Sequence, residues 1–200
     1  MKIEGFVLAG GRSSRMGSPK AALKIGRRTY LAAAVEAFQA LGCETVSIVG
    51  GEGHSRMRTI PDATLKPHIS GPVRGLYTAL LNADTEWIAL LAVDLPLVTT
   101  KFLERLWTFS NDGIDAVIPV QKDGRAQPLC GFYRSVPAIK SCSDAIANEQ
   151  LSMHSVLDRV NVRRVAFGEY SDIPNAEHIL LNVNTPEDHA RVLAILKGSG

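Results

Sequence analysis

The chain has 200 residues, 46% hydrophobic and 21% charged, with a formal net charge of +2. That is the balance of an ordinary soluble globular protein, and the scattered basic residues give no mandate for nucleic acid. No apolar run approaches the ~20 residues of a membrane span, and the short N-terminal run meets Gly10 and Gly11 where a secretory signal would continue, so a cytoplasmic protein is expected. In chain order, Phe6–Ala9 reads as a first strand ending in paired glycines. Tyr30–Leu41 carries apolar residues at helical spacing, with Gly42 as a stop. Thr45–Val49 is a second strand closed by Gly50-Gly51, and Arg58–Ile60 a short third ending at Pro61-Asp62. Pro72–Ala83 reads as a helix, Trp87–Val93 as a continuous apolar strand covered on both faces, Thr100–Phe109 as a helix and Asp115–Val120 as a strand. Arg134–Ala147 and Ser152–Leu157 are helical and Val160–Phe167 a late strand. Glu187–Leu196 closes the chain as a helix capped by Thr185, with Pro186 at its first position and Asp188 at its third.

This alternation predicts an α/β fold, a mostly parallel sheet with helices on both faces, in a single domain over residues 1–200. Ligands of such sheets bind beyond the carboxyl ends of the strands. Polar residues gather there: Gly10–Lys20, Gly50–Gly53, Asp62 and Asp94 each follow an apolar run.

Gly10-Gly11-Arg12-Ser13-Ser14-Arg15-Met16-Gly17-Ser18-Pro19-Lys20 reads as a triphosphate-handling loop. Glycine lets backbone N–H groups approach a ligand closely, and arginine and lysine add mobile positive charge. It is neither common phosphate motif: Ala21 follows Lys20 where a P-loop needs Ser or Thr, and Gly10, Gly11 and Gly17 miss the dinucleotide spacing. Asp94, between a buried strand and Leu95-Pro96, can hold Mg²⁺ by one carboxylate oxygen while a triphosphate supplies others. In Asn182-Val183-Asn184-Thr185-Pro186-Glu187, capping accounts for Thr185 and Pro186 but not for two asparagines on alternate positions, whose side chains would share one face. These asparagines are expected to reach the metal or the acceptor. Asp62 reads as a nucleobase or ribose contact or a turn residue. Arg74 reads as an anion contact or a surface charge. Arg125–Leu129, leading into Gly131–Arg134, reads as a pocket lining or a strand with ordinary edge residues. His54, His68, His154, His178 and His189 show no metal spacing and read as solvated or capping. Cys43, Cys130 and Cys142 lack paired spacing and read as reduced thiols.

Taken in order, Leu8-Ala9-Gly10-Gly11 with Arg15-Met16-Gly17 and Lys20, then Asp62, Gly71-Pro72 and Gly75, Asp94-Leu95-Pro96 and the closing N-V-N-T-P-E string resemble the molybdopterin nucleotidyltransferase family, with the spacing of its molybdenum cofactor guanylyltransferases. The loop alone marks only the wider nucleotidyltransferase superfamily; the closing string and the length narrow it. The resemblance implies a Rossmann-like three-layer sandwich of the nucleotide-diphospho-sugar-transferase type. It implies transfer of GMP from GTP to the phosphate of molybdopterin, with release of pyrophosphate. Leu8, Ala9, Gly10, Gly11, Lys20, Asp62 and Asp94 would contact the nucleotide. Asp94 would hold Mg²⁺, and Arg15 and Lys20 would offset charge on the leaving pyrophosphate. Gly50 stands where a family member has a nucleotide-contacting asparagine, which leaves backbone contact alone there. Expected partners are GTP, molybdopterin and, transiently, cofactor-biosynthesis proteins or recipient molybdoenzymes. The rival readings are cytidylyl transfer to molybdopterin, transfer to another phosphorylated acceptor, and a non-catalytic nucleotide-binding protein.

Overall fold

The computed structural model describes residues 2–10, 19–51, 57–64 and 71–198. Nine strands are formed among them: β1 (Ile3–Leu8), β2 (Lys24–Ile25), β3 (Arg28–Thr29), β4 (Thr45–Val49), β5 (Thr59–Ile60), β6 (Trp87–Ala92), β7 (Ala116–Pro119), β8 (Cys130–Arg134) and β9 (Val162–Val165). The helices are α1 (Tyr30–Leu41), α2 (Pro72–Leu81), α3 (Thr100–Trp107), α4 (Ser135–Ala147), α5 (Met153–Leu157) and α6 (Pro186–Gly198). Seven strands make one sheet in the order β5-β4-β1-β6-β8-β7-β9, while β2 and β3 form a separate small hairpin.

Helix ends follow local chemistry. Thr29 Oγ1 accepts from Ala32 N at 3.1 Å to open α1, and Gly42, at φ 88°, closes it in the left-handed conformation that glycine adopts without strain. At α6 the expected cap is present: Asp188 N donates to Thr185 Oγ1 at 3.2 Å, and Asp188 Oδ2 accepts from Asn184 N at 2.9 Å and Thr185 N at 3.0 Å. The Asn184 and Thr185 N–H groups hold the Asp188 carboxyl below its ordinary pKa.

Side-chain alternation along the strands builds two cores. Ala89 and Leu91 of β6 pack with Phe38 of α1, Phe102 of α3 and Val192 of α6, whereas Ile88 and Leu90 pack with Leu76 of α2, Ala138 of α4 and Val156 of α5. Helices therefore cover both faces, and the sheet is the middle of three layers.

The sheet departs from the expected pattern in one place. β8 runs antiparallel to both β6 and β7 and lies between them, buried from Cys130 to Tyr133. Gly131–Arg134 is thus a central strand, not an edge, and Arg134 ends it instead of opening the next helix. The direction follows from the connection: β7 reaches β8 through a hairpin closed by the Val120–Ala126 bridge, and no crossover helix intervenes to bring the chain back parallel.

Candidate active site

Strands β1 and β6 are neighbours and parallel. From β1 the chain leaves through α1 towards β4, and after β6 it leaves to the other side. A crevice therefore opens at their carboxyl ends, where strand order reverses. The ladder continues past the strands: Ala9 N donates to Val49 O at 2.9 Å and Val93 N to Leu8 O at 3.0 Å. Those bonds set Gly10 and Asp94 side by side on the crevice rim.

Lys20 opens a single 3₁₀ turn, Lys20–Ala22, and reaches across the crevice. Its Nζ lies 3.2 Å from Asp94 Oδ2 and donates to Asn184 Oδ1 at 2.7 Å. These partners are 74 and 164 residues away in the chain. Val183 N donates to Asp94 O at 2.9 Å, which fastens the 182–184 segment to the Asp94 turn. The Lys20 and Asp94 side chains are 20% and 25% exposed, open enough for water to screen the pair. Such a pair contributes at most about 1 kcal/mol to stability, so its value lies in the charges it concentrates.

Asp62 occupies another part of the same rim. Gly50, at φ 69°, lies so close to Gly10 that a Cβ there would stand 2.9 Å from Gly10 Cα and 3.5 Å from Asp62 Oδ1. The Asp62 segment is held by α2: Ala63 N donates to Thr78 Oγ1 at 2.9 Å, and Arg74 Nε donates to Ala63 O at 3.0 Å. Arg74 is therefore a strut under Asp62, with its Nε–H committed to backbone. Leu8 is buried, with its methyl groups against Gly75 of α2.

Gly11 and Arg15, both expected in the phosphate loop, lie outside the described residues, as do His54 and His68. Asn184 meets Lys20, but Asn182 does not join it; Asn182 Oδ1 accepts instead from Gln127 Nε2 at 3.2 Å. The two amides thus serve different partners, because the segment that carries them is not a strand. His189 is half-buried and has a specific partner that the sequence did not suggest: its Nδ1 is 2.7 Å from the hydroxyl of buried Tyr30. Burial, and then the Asp188 charge, push the Tyr30 hydroxyl up to about 12, so it stays protonated. This bond ties the start of α1 to the start of α6, the elements that follow Lys20 and Asn184. The sequence signal for Gln127 was its place in Gln127-Pro128-Leu129 just before a strand; nothing local signalled His189. All three cysteines are unpaired, and burial pushes the Cys43 and Cys142 thiols up to about 12, which leaves them unreactive.

No group of three or more His, Cys, Asp or Glu side chains among the described residues is arranged to hold a metal. Around Lys20 the rim instead brings a carboxylate, Asp94, and an amide oxygen, Asn184, onto the same ammonium. Hard oxygen donors of this kind suit Mg²⁺, which commonly takes one or two carboxylates and completes its shell with phosphate and water.

A family model described as the MobA-like NTP transferase domain matches residues 5–162. The chain belongs to this family. As a MobA-like NTP transferase it is a nucleotidyltransferase by class. It is 33% identical to a Bacillus velezensis protein named "Probable molybdenum cofactor guanylyltransferase", over 100% of this chain and 98% of that one. A Bacillus subtilis protein of the same name is also 33% identical, over 94% of this chain and 93% of that one. The solved structure titled molybdopterin-guanine dinucleotide biosynthesis protein A, from Archaeoglobus fulgidus, superposes with a TM-score of 0.79. That match covers 98% of this chain and 99% of the other at 22% identity, and establishes a shared fold for the MobA-like transferase.

Proposed function

We propose that this chain transfers GMP from GTP to the phosphate of molybdopterin and releases pyrophosphate, with Mg²⁺ as its metal. The observation that carries the reading is the meeting of Lys20, Asp94 and Asn184 at the carboxyl ends of β1 and β6. This meeting occurs in a chain whose curated relatives bear the guanylyltransferase name.

The chemistry needs little from the protein beyond position and charge. A phosphate oxygen of molybdopterin forms a bond to the α-phosphorus of GTP while the α–β bridging bond breaks, and the electron pair leaves on pyrophosphate. The nucleophile is already ionised, so no general base is required. In this reading the backbone of Gly10 meets the triphosphate, and Lys20, on its flexible stem, moves onto the phosphates and offsets the charge that gathers on the leaving group. Asp94 would hold the metal, with Asn184 beside it; the bound ion would add positive charge at the phosphates. Asp62, braced by Arg74 and Thr78, faces the Gly10–Gly50 contact, where a carboxylate can accept from the N–H groups of guanine or from a ribose hydroxyl. Arg15 is assigned to the phosphates by sequence resemblance.

The continuous seven-stranded sheet from β5 to β9, with cores on both faces, supports one domain over residues 1–200. No helix among the described residues is long and apolar enough to cross a membrane. A cytoplasmic site of action, with handover to recipient molybdoenzymes, fits a chain of unpaired thiols.

The test is incubation with molybdopterin, Mg²⁺ and each of the four ribonucleoside triphosphates, with pyrophosphate assay and product mass. GTP should yield the guanine dinucleotide, with ATP and CTP much slower. Turnover of CTP equal to that of GTP would leave nucleotidyl transfer standing and remove the guanylyl assignment.

A further inference from the structure

Gln127 lies in the connection between β7 and β8, beside the carboxyl end of β6, where Ala92 N donates to Leu129 O at 2.8 Å. Its backbone is fixed on both sides: Gln127 N donates to Pro119 O at 2.9 Å, and Gln127 O accepts from Cys130 N at 3.2 Å. The residue is 7% exposed. A buried primary amide is costly unless it is hydrogen-bonded, a cost that a methionine of similar volume would avoid. What the amide does here is donate its Nε2–H to Asn182 Oδ1.

Asn182 is itself exposed, and its neighbours reach the reaction centre, through Val183 N to Asp94 O and through Asn184 Oδ1 to Lys20. An asparagine amide carries one acceptor oxygen and one NH₂ donor group. With the oxygen engaged by Gln127, the group that Asn182 has left for a ligand is its NH₂. Asn184 is arranged the opposite way, with its oxygen towards a cation. The two asparagines thus present opposite polarity from one short segment.

We propose that Gln127 is a positioning residue for nucleotidyl transfer, holding Asn182 so that its NH₂ donors, not its oxygen, meet a phosphate oxygen of the acceptor. The proposal rests on the proposed transfer to molybdopterin and takes Asn182, of the two asparagines expected to reach the metal or the acceptor, as the one on the acceptor side. An ionised phosphate only accepts hydrogen bonds, so it is bound by an amide in this orientation and repelled by the reverse one.

Gln127→Glu separates orientation from packing. It keeps the shape but replaces the donor with an acceptor, so Asn182 must turn its NH₂ inward and its oxygen outward. Gln127→Met fills the space and leaves Asn182 unheld. At pH 8, Gln127→Glu should raise KM for molybdopterin at least about ten-fold, the equivalent of losing one charge-assisted hydrogen bond. KM for GTP should stay within about two-fold. Gln127→Met should raise the acceptor KM by a smaller factor, and it carries the comparison if the glutamate variant does not fold. Asn182→Ala should also raise the acceptor KM, and adding Gln127→Glu to it should raise it no further. A wild-type acceptor KM in both Gln127 variants overturns the proposal, as does a parallel rise in KM for GTP, or a full additional effect on the Asn182→Ala background. If Asn182→Ala leaves the acceptor KM unchanged, the acceptor-side reading falls and the proposal with it. If Asn182→Ala raises it and the Gln127 variants do not, the positioning role alone falls.

Discussion

Gly50 offers a quantitative check on the crevice. It sits at φ 69°, and a Cβ there would be 2.9 Å from Gly10 Cα and 3.1 Å from Gly10 N. Left-handed backbone costs an L-residue about 1–2 kcal/mol, and forcing a methyl into packed backbone adds about 1–3 kcal/mol. Lower chain entropy in the unfolded state offsets about 0.4–1 kcal/mol. The net loss for Gly50→Ala is therefore about 1–4.6 kcal/mol, which for a chain of this size lowers Tm by roughly 2–18 °C. Gly42→Ala is the control: Gly42 has φ 88° but nothing within 4 Å of its would-be Cβ. Only the backbone strain applies there, a net loss of about 0–1.6 kcal/mol or at most roughly 6 °C. The two variants should differ most in ligand binding. To reach ordinary contact at 3.4 Å, Gly10 must retreat from Gly50, and it carries with it the backbone assigned to the triphosphate. Loss of one such hydrogen bond weakens GTP binding by about ten-fold. Thermal melts and GTP calorimetry on both variants measure the two effects. GTP affinity in Gly50→Ala within two-fold of wild type, with a Tm loss no larger than that of Gly42→Ala, would refute the close approach as the feature that shapes the nucleotide loop.

Asp94→Asn should lower turnover by about 100-fold or more at saturating Mg²⁺, since it removes the one carboxylate on the rim beside Lys20. Its Tm should move by no more than about 4 °C, because the pair it breaks is solvent-screened; near-normal turnover in a kinetic assay would sink the metal assignment. Lys20→Ala should weaken binding of GTP far more than binding of guanosine, measured by calorimetry, because the partner proposed for its ammonium is phosphate. An equal loss for both ligands would point to a misfolded loop.

The sequence by itself determined what local chemistry decides. The bounds of α1 follow from apolar spacing and from Gly42 as a stop. The start of α6 follows from Thr185, Pro186 and Asp188. The strands Thr45–Val49 and Trp87–Ala92 follow from apolar runs with glycine or a polar turn at their ends. These signals act over a few residues, through φ preference, capping bonds and burial of one side. Only the tertiary structure decided that β8 lies antiparallel in the middle of the sheet. An apolar run reports burial and says nothing of direction, and Asp123-Gly124, a turn signal in the connection that reverses this one, marks a bend without saying where in the sheet the returning strand will lie. Tertiary structure also decided which polar residues meet. Lys20 finds Asn184 across 164 residues, Gln127 finds Asn182 across 55, and Tyr30 finds His189 across 159. No period or spacing encodes those pairings, because each arises from the order in which strands are laid beside β1 and from α6 packing back beside α1. The residue types that do the chemistry were legible along the chain, whereas their arrangement around one crevice came from the packing of elements distant in sequence.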